Sequence, residues 1–303
     1  MKASSVLPAI EEAIRSATGN AFHIASADEV GGGSIHHAYS VSDGRTRYFV
    51  KVDSGDALAM FDAEADGLAA IAATGTFRTP KVVAVARAEA HALLVLEHLE
   101  LRPLTGAADG VRFGVALAEL HRVSGEHFGW HRDNYIGRTP QPNPQTDNWA
   151  RFYVEHRLRP QFALAQQAGY EHELRRAGER LLERVPALFL DYRPQPSLLH
   201  GDLWHGNAAI TPDGAPVLFD PACHYGDRES DLAMSELFGG FPTAFYAAYR
   251  QHRVLNTDYE QRKPLYSLYH ILNHLNLFGR GYLREAQRLT VRLNEALSLR
   301  GNQ

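Results

Sequence analysis

The first hundred residues contain short apolar runs, broken by Gly and Asp-Gly turn signals, that predict β-strands around one helix. Strand-like composition covers residues 22–30, 36–43, 45–53, 81–89 and 91–100. Between the third and fourth runs, residues 56–75 place Phe61, Leu68 and Ile71 on one helical face and end at Gly75. This part of the chain is therefore expected to be rich in β-structure.

From Ala107 onward, the apolar positions follow the helical period instead, starting with residues 110–125. The proline- and aromatic-rich residues 128–146 predict a structured loop, and residues 208–220 predict a hairpin with a Pro-Asp-Gly turn. Further helices are expected at about 148–168, at 171–186 and over several segments of 230–300. The second part of the chain is therefore expected to be mainly helical.

Together these patterns predict an α+β chain of two lobes. Residues 1–98 would form the β-rich N-terminal lobe and residues 99–303 the helical C-terminal lobe, with the join near Glu97–Pro103. A length of 303 residues suits one large domain or two lobes.

Composition narrows the classes of function. The chain has 31 Lys and Arg against 35 Asp and Glu, a net charge of −4, which argues against a nucleic-acid-binding surface. No run approaches 18 apolar residues, so no membrane span is expected. The first 15 residues predict an amphipathic helix and lack the apolar core of a secretory signal. A single cysteine, Cys223, allows neither an internal disulfide nor a cysteine-based zinc site, which fits a reducing, cytoplasmic setting.

The strongest chemical signal is the loop from His200 to Asn207. Asp202 precedes Asn207 by five residues, and Asp220 ends the next predicted strand pair thirteen residues after Asn207. This is the spacing of a kinase catalytic loop, in which the first Asp accepts the proton of the substrate hydroxyl. Asn207 and Asp220 offer the oxygen ligands that Mg²⁺ prefers. The alternative is a solvated loop that ends in a turn.

A second signal lies upstream, where Gly31, Gly32, Gly33 and Ser34 follow one strand-like run and precede another. Glycines let backbone N–H groups approach phosphates closely, although such a run by itself is more typical of a turn.

Lys51 lies on the following strand among apolar neighbours, and Glu64 lies thirteen residues later on the predicted helix. A lysine–glutamate pair after a glycine loop is the arrangement by which kinases hold the α- and β-phosphates of ATP. Each of these residues taken singly is typical of a charged surface position. Their order, together with Asp202 and Asn207, favours the nucleotide-binding interpretation.

Glu97, His98 and Leu99 follow an apolar strand, where a kinase hinge presents its backbone to adenine. A solvent-facing strand end is the alternative. Only ten residues separate Asp220 from Asp231, which leaves little room for the activation loop on which protein kinases bind a polypeptide substrate. The spacing thus favours a small-molecule acceptor.

At these residues the sequence resembles the fructosamine kinase (ketosamine-3-kinase) family, within the protein-kinase-like and aminoglycoside phosphotransferase-like fold. The resemblance covers essentially the whole chain. It lies in residues 31–39, 128–143, 148–161, 200–207 and 218–241. It implies ATP-dependent, Mg²⁺-assisted phosphorylation of the sugar 3-hydroxyl of ketosamines, the adducts of glucose or ribose with amines. The 3-phosphate destabilises the adduct, so the implied activity is repair of glycation.

The resemblance also implies roles for single residues. Asp202 becomes the proton acceptor, Asn207 and Asp220 the Mg²⁺ ligands, and Lys51 with Glu64 the phosphate anchor. The glycine loop and Glu97–Leu99 complete the ATP site.

For the acceptor, Trp204 is expected either to stack on the sugar or to pack as a loop aromatic. Asp227 or Glu229 could meet the ketosamine ammonium, whereas Asp231 is expected to brace the catalytic loop. Two positions depart from the family pattern, His205 in place of a small Ser and Asp227 in place of a common His. Both departures bear on acceptor preference.

Two other functions stay open at this point. One is a kinase of another small alcohol, of the aminoglycoside or choline type, against which Trp204 and the pattern at residues 237–241 argue. The other is a non-catalytic nucleotide-binding module, against which the intact Lys51, Asp202, Asn207 and Asp220 argue.

Overall fold

The computed structural model describes residues 6–31, 35–88 and 90–300. Contacts divide the chain into two compact units. The first comprises Met1–Pro103 with Ala209–Pro221, and the second comprises Leu104–Ala208 with Ala222–Gln303. The first unit is rich in β-structure and the second is mainly helical, which confirms the predicted α+β class.

The first unit is built on an antiparallel five-stranded sheet in the order β1-β2-β3-β5-β4. Its elements are α1 (Leu7–Thr18), β1 (Ser26–Glu29), β2 (His37–Ser42), β3 (Arg47–Ser54), α2 (Leu58–Ala73), β4 (Val82–Ala88), β5 (His91–Glu97) and β6 (Arg102–Pro103). Buried apolar side chains of α1 and the sheet form one core, which includes Ile10, Val50 and Val95. The predicted strands and the helix at 56–75 are therefore confirmed, with shorter ends.

A second, three-stranded sheet explains why residues from late in the chain belong to the first unit. The hairpin of β10 (Ala208–Ile210) and β11 (Pro216–Leu218) was predicted from its turn signal, and β10 also pairs antiparallel with β6. Arg78 adds a parallel bridge to Val217. These pairings fix Asp220, two residues after β11, within the first unit.

The second unit is mainly helical and has a core of its own, which includes Trp149, Phe152 and Leu272. Its helices are α3 (Ala107–Leu120), α4 (Trp149–Tyr153), α5 (Arg159–Ala165), α6 (Glu171–Arg184), α7 (Glu229–Leu237), α8 (Thr243–His252), α9 (Tyr259–Phe278) and α10 (Leu283–Arg300). Its strands are β7 (Asn134–Ile136), β8 (Thr139–Gln141), β9 (Ser197–Leu199) and β12 (His224–Gly226).

The segment at 128–146 holds a short hairpin, β7–β8, that the sequence pattern did not indicate. Buried amides account for its order, because Asn134 donates to the backbone oxygen of Cys223 and Gln141 donates to Asn134. The contact between Asn134 and Cys223 joins residues 89 apart in sequence and leaves no local periodicity. Across the described ranges, no helix has the length and apolar character needed to cross a membrane.

Candidate active site

In the first unit, Lys51, Glu64 and Asp220 form an ionic trio. Lys51 lies on β3 between Ala38 of β2 and Leu94 of β5, so its stem is covered by the sheet and only 6% of the residue is exposed. Its Nζ donates to Glu64 Oε1 at 2.6 Å and to Asp220 Oδ1 at 2.5 Å. The structure thus brings together three of the residues predicted to handle phosphate and metal.

The charges of this trio depend on one another. Burial disfavours the Lys51 ammonium, but the carboxylates of Asp220 and Glu64 outweigh it and raise the pKa of Lys51. Burial raises the pKa of Glu64 to about 7 against the opposing attraction of Lys51. Lys51 therefore stays charged at neutral pH.

Asp220 has an unusual backbone. Among the described residues it is the one non-glycine with positive φ, at 55°. An L-residue in this region carries local strain, which is found preferentially at functional sites. The Asp220 side chain is 45% exposed, in contrast with Lys51 and Glu64, so part of its carboxylate faces outward from the unit.

The glycine loop lies mostly beyond what can be described. Gly31, the first residue of this loop, is exposed, whereas Gly32, Gly33 and Ser34 lie outside the described residues. Their predicted role in ATP binding stays a prediction.

Just after that loop, His36 Nδ1 lies 2.6 Å from Asp53 Oδ2, a nearly buried pair that joins the loop's end to β3. Sequence reasoning missed this pair. Its members are seventeen residues apart, with His36 just before β2 and Asp53 on β3, so only the strand register could have suggested it.

The predicted hinge, Glu97–Leu99, lies at and after the end of β5. The backbone N–H of Glu97 donates to the Lys81 oxygen, and its carboxylate accepts from Arg78 at 2.8 Å. Glu97 is thus tied to its own unit, while His98 and Leu99 are half-buried beside it. The adenine-binding role of these three residues stays a prediction.

In the second unit, Asp231 of α7 holds the start of the loop at 200–207. It accepts from the backbone N–H of His200 at 2.8 Å and of Gly201 at 2.9 Å, and His121 Nε2 lies 3.2 Å from it. Burial alone would raise the pKa of Asp231, but these partners outweigh it and lower the pKa. Asp231 therefore braces the loop as an ionised carboxylate, as the sequence predicts.

Gly201 lets this loop turn tightly. Its φ is +84°, and a Cβ at this position would lie 2.1 Å from the backbone oxygen of Ala222. Any larger residue is therefore both strained and in collision with the backbone.

Asp202 and Asn207 lie together in this loop. The Asn207 amide nitrogen donates to the Asp202 backbone oxygen at 2.9 Å and to Asp202 Oδ2 at 3.1 Å. Both amide hydrogens are thereby used, which leaves the amide oxygen of Asn207 as the group able to bind a cation. The Asp202 side chain is 22% exposed.

A buried histidine also faces Asp202. His270 Nδ1, on α9, lies 3.9 Å from Asp202 Oδ1. Sequence reasoning did not identify His270, because its separation of 68 residues from Asp202 carries no motif.

Trp204 is half-buried within the same loop. Its ring lies 4.8 Å from that of His205 and 6.1 Å from that of Phe238, measured between centroids. A Cβ on Gly206 would lie 2.4 Å from the Trp204 ring, so the indole covers this glycine. The indole is thus packed on one side, and stacking on a sugar stays a prediction.

Asp227 differs from its predicted position at the acceptor. It is completely buried, and its carboxylate accepts from Tyr266 at 2.6 Å and from Tyr192 at 2.9 Å. Glu229 is likewise buried and forms a bidentate ion pair with Arg262. Because these carboxylates are enclosed and paired, we leave both out of the substrate contacts. Their role is to fix the start of α7, which carries Asp231.

Comparison with known proteins identifies the family of this chain. The family model described as Fructosamine kinase matches residues 6–296. A probable ketoamine kinase of Synechocystis is 48% identical over 287 residues, covering 92% of this chain and 94% of the relative. A chloroplastic protein-ribulosamine 3-kinase of rice is 38% identical, covering 88% of this chain and 78% of the relative.

Solved structures show the same relation. The crystal structure of a putative fructosamine-3-kinase from Haemophilus somnus superposes with a TM-score of 0.88 at 29% identity, covering 94% of this chain and 96% of the other. An aminoglycoside phosphotransferase has a TM-score of 0.65 at 14% identity, covering 95% of this chain and 98% of the other, and so shares the fold alone.

Proposed function

Because the chain belongs to the fructosamine kinase family and is therefore a phosphotransferase, we propose that it transfers the γ-phosphoryl group of ATP to the sugar 3-hydroxyl of ketosamines. The acceptor is a small glycated amine, a fructosamine or a ribulosamine. Phosphorylation at this position destabilises the adduct, so the activity releases the amine and reverses glycation.

The observation that carries the proposal is the ionic trio of Lys51, Glu64 and Asp220. A buried, permanently charged ammonium held by two carboxylates costs desolvation energy, which a purely structural sheet position does not need. An ammonium fixed in this way is suited to anchor the phosphates of a nucleotide.

In the proposed reaction Asp202 accepts the proton of the 3-hydroxyl as that oxygen bonds to the γ-phosphorus. The bond from the γ-phosphorus to its bridging oxygen breaks, and ADP leaves. Asn207 holds the Asp202 carboxylate through its amide nitrogen. Most of the rate then comes from orientation and charge placement, as in other phosphoryl transfers.

The donor types fit a hard cation. Asp220 supplies a partly exposed carboxylate, and Asn207 supplies an amide oxygen whose nitrogen is already committed to Asp202. Among the described residues, no group of three or more His, Cys, Asp and Glu side chains forms a metal site of its own. We propose Asn207 and Asp220 as Mg²⁺ ligands on the basis of these donor types, and phosphate oxygens and water would complete the shell. Bound Mg²⁺ would neutralise charge that develops on the phosphates.

The test is ADP release by the purified protein, compared between ketosamines and other alcohols. Fructosamine and ribulosamine derivatives of an amino acid are the test acceptors, and an aminoglycoside, choline and homoserine are the comparison acceptors. We expect Mg²⁺-dependent turnover with the ketosamines and a product phosphorylated at the 3-oxygen by ³¹P NMR. The variant Asp202→Asn, which removes the proposed proton acceptor, is the inactive control in this assay. Faster turnover of a comparison alcohol would assign the chain a different acceptor.

ATP binding with no turnover on any acceptor would instead support a non-catalytic nucleotide-binding module. A thermal shift with ATP and Mg²⁺ measures that binding directly.

A further inference from the structure

His270 is a buried polar residue that the proposed reaction does not yet use. It lies near the middle of α9, is 1% exposed, and directs Nδ1 toward Asp202 Oδ1 at 3.9 Å. Within the part of the chain that the structure describes, this nitrogen has no hydrogen-bond partner. Leaving a buried polar atom unpaired costs about 1–3 kcal/mol, so such an atom calls for a functional explanation.

Three neighbouring polar side chains on the same helix are satisfied, whereas Asn276 Oδ1, near the end of the helix, lacks a partner among the described residues, as His270 Nδ1 does. Tyr266 donates to Asp227 and Tyr269 donates to Gln141, both at hydrogen-bond length. His274, one turn after His270, directs its own Nδ1 to the His270 backbone oxygen at 2.8 Å. What distinguishes His270 is that its unpaired nitrogen faces the carboxylate of Asp202.

The charge state of His270 suits a hydrogen-bond donor to a carboxylate. Burial lowers its pKa to about 3, so the ring is neutral at physiological pH and carries one N–H. With the proton on Nδ1, the ring faces Asp202 as a donor. A separation of 3.9 Å is longer than a hydrogen bond, but contacts of catalytic groups commonly tighten when the substrate binds.

Resting on the proposed function, we propose that His270 is a positioning residue for Asp202. Its Nδ1–H closes onto Oδ1 in the substrate complex, while Asn207 holds Oδ2 from the other side. The carboxylate is then fixed between two neutral donors, which would orient it toward the acceptor hydroxyl. His270 itself touches neither substrate nor phosphate in this role.

The experiment compares three substitutions at His270. His270→Asn keeps an N–H close to the position of Nδ1, His270→Gln moves the N–H outward, and His270→Leu removes it. We expect kcat to fall by roughly 10- to 100-fold in the Leu and Gln variants, since small misplacement of a catalytic group costs that much. His270→Asn should stay within about threefold of the wild type because it keeps the donor. The KM for ATP should be unchanged in all three.

His224→Asn is the matched control for packing. His224 is also buried and has a similarly low pKa of about 3, but its Nδ1 is directed to the Ala222 backbone oxygen. Its substitution should lower the melting temperature without the selective loss of kcat. If His270→Leu does not fold, the kcat values of the Asn and Gln variants still decide whether His270 positions Asp202.

Equal kcat values in the Asn and Gln variants would overturn the inference, as would a loss seen only in the KM for ATP. These outcomes are separable from failure of the proposed function. If the wild type prefers another alcohol, the kcat values of the same variants are measured with that alcohol as the acceptor. If Asp202→Asn is inactive while His270→Gln matches the wild type, only the role of His270 is wrong.

Discussion

The two groups of functional side chains are held in different ways. In the first unit, Lys51, Glu64 and Asp220 hold one another through charge, and the groups that hold are the groups that would meet the ligand. In the second unit, Asp231 holds the backbone of His200 and Gly201, so the supporting residue is distinct from Asp202, the residue proposed to react.

This difference has a physical consequence. A site held by ion pairs among its own ligand-binding residues can exchange partners when phosphate or a cation arrives, because each charge can find a new counterion. A site held by backbone hydrogen bonds to a buried carboxylate keeps its shape whether or not a ligand is bound. We therefore expect substitutions in the first group to affect mainly activity, and substitutions around Asp231 to affect folding first.

The largest expected effect is that of Lys51→Met. It should lower kcat/KM by roughly 100- to 1,000-fold, or about 3–4 kcal/mol, because a fixed charge on the phosphates is lost. Steady-state ADP release measures this loss, and Lys263→Met, which removes a lysine outside the site, is the control. Lys51→Met also leaves the buried Glu64 carboxylate without its cation, which lowers stability. The double variant Lys51→Met/Glu64→Gln removes that carboxylate, so it should regain stability but no activity. Recovery of activity in the double variant would contradict the role of Lys51 as the phosphate anchor.

Asp231→Ala should destabilise the protein by about 3 kcal/mol or more, because the N–H groups of His200 and Gly201 and the ring of His121 lose a buried partner. Urea unfolding measures the change, and the exposed Asp191→Ala serves as the control. A folded variant of unchanged stability that has lost activity would show that Asp231 acts in the chemistry and not as a brace.

The pH dependence of stability tests burial in the second unit. Burial lowers the pKa of His224 to about 3, below the unfolded value of about 6.5. Between these values the unfolded chain binds the proton and the folded chain does not, so stability due to this group falls as the pH falls. The deficit of His224→Asn relative to the wild type should therefore shrink by about 1.4 kcal/mol per pH unit from pH 6.5 toward 3. A deficit that is constant with pH would mean that His224 is protonated in the folded state.

The smallest effect is expected for Tyr192→Phe, which removes one of the donors to Asp227. We expect a loss of about 1 kcal/mol in stability and no change in the KM for the ketosamine. A raised KM with unchanged stability would return Asp227 to the acceptor site.

Much of the fold was predictable because it rests on local patterns. The strands of the first sheet and the helices of the second unit follow apolar periodicity and turn signals, which neighbouring residues determine. The chemistry proposed for Lys51, Asp202, Asn207 and Asp220 comes from residue type and spacing, because phosphoryl transfer needs few groups in a fixed order.

Three features were not predictable in the same way. The β7–β8 hairpin depends on buried amides of Asn134 and Gln141 that donate to backbone oxygens 89 and 81 residues away. The burial of Asp227 depends on Tyr192 and Tyr266 from other segments. The approach of His270 to Asp202 depends on how α9 packs beside the loop.

By itself the sequence determined the α+β class, the residues able to do phosphoryl chemistry and the family they resemble. Tertiary structure alone decided which charges pair, which carboxylates are shielded from solvent, and that Ala209–Pro221 joins the N-terminal unit. The physical reason is that periodicity and spacing record interactions along the chain. Desolvation and hydrogen-bond partnership depend on distances in space, which residues far apart in sequence set together.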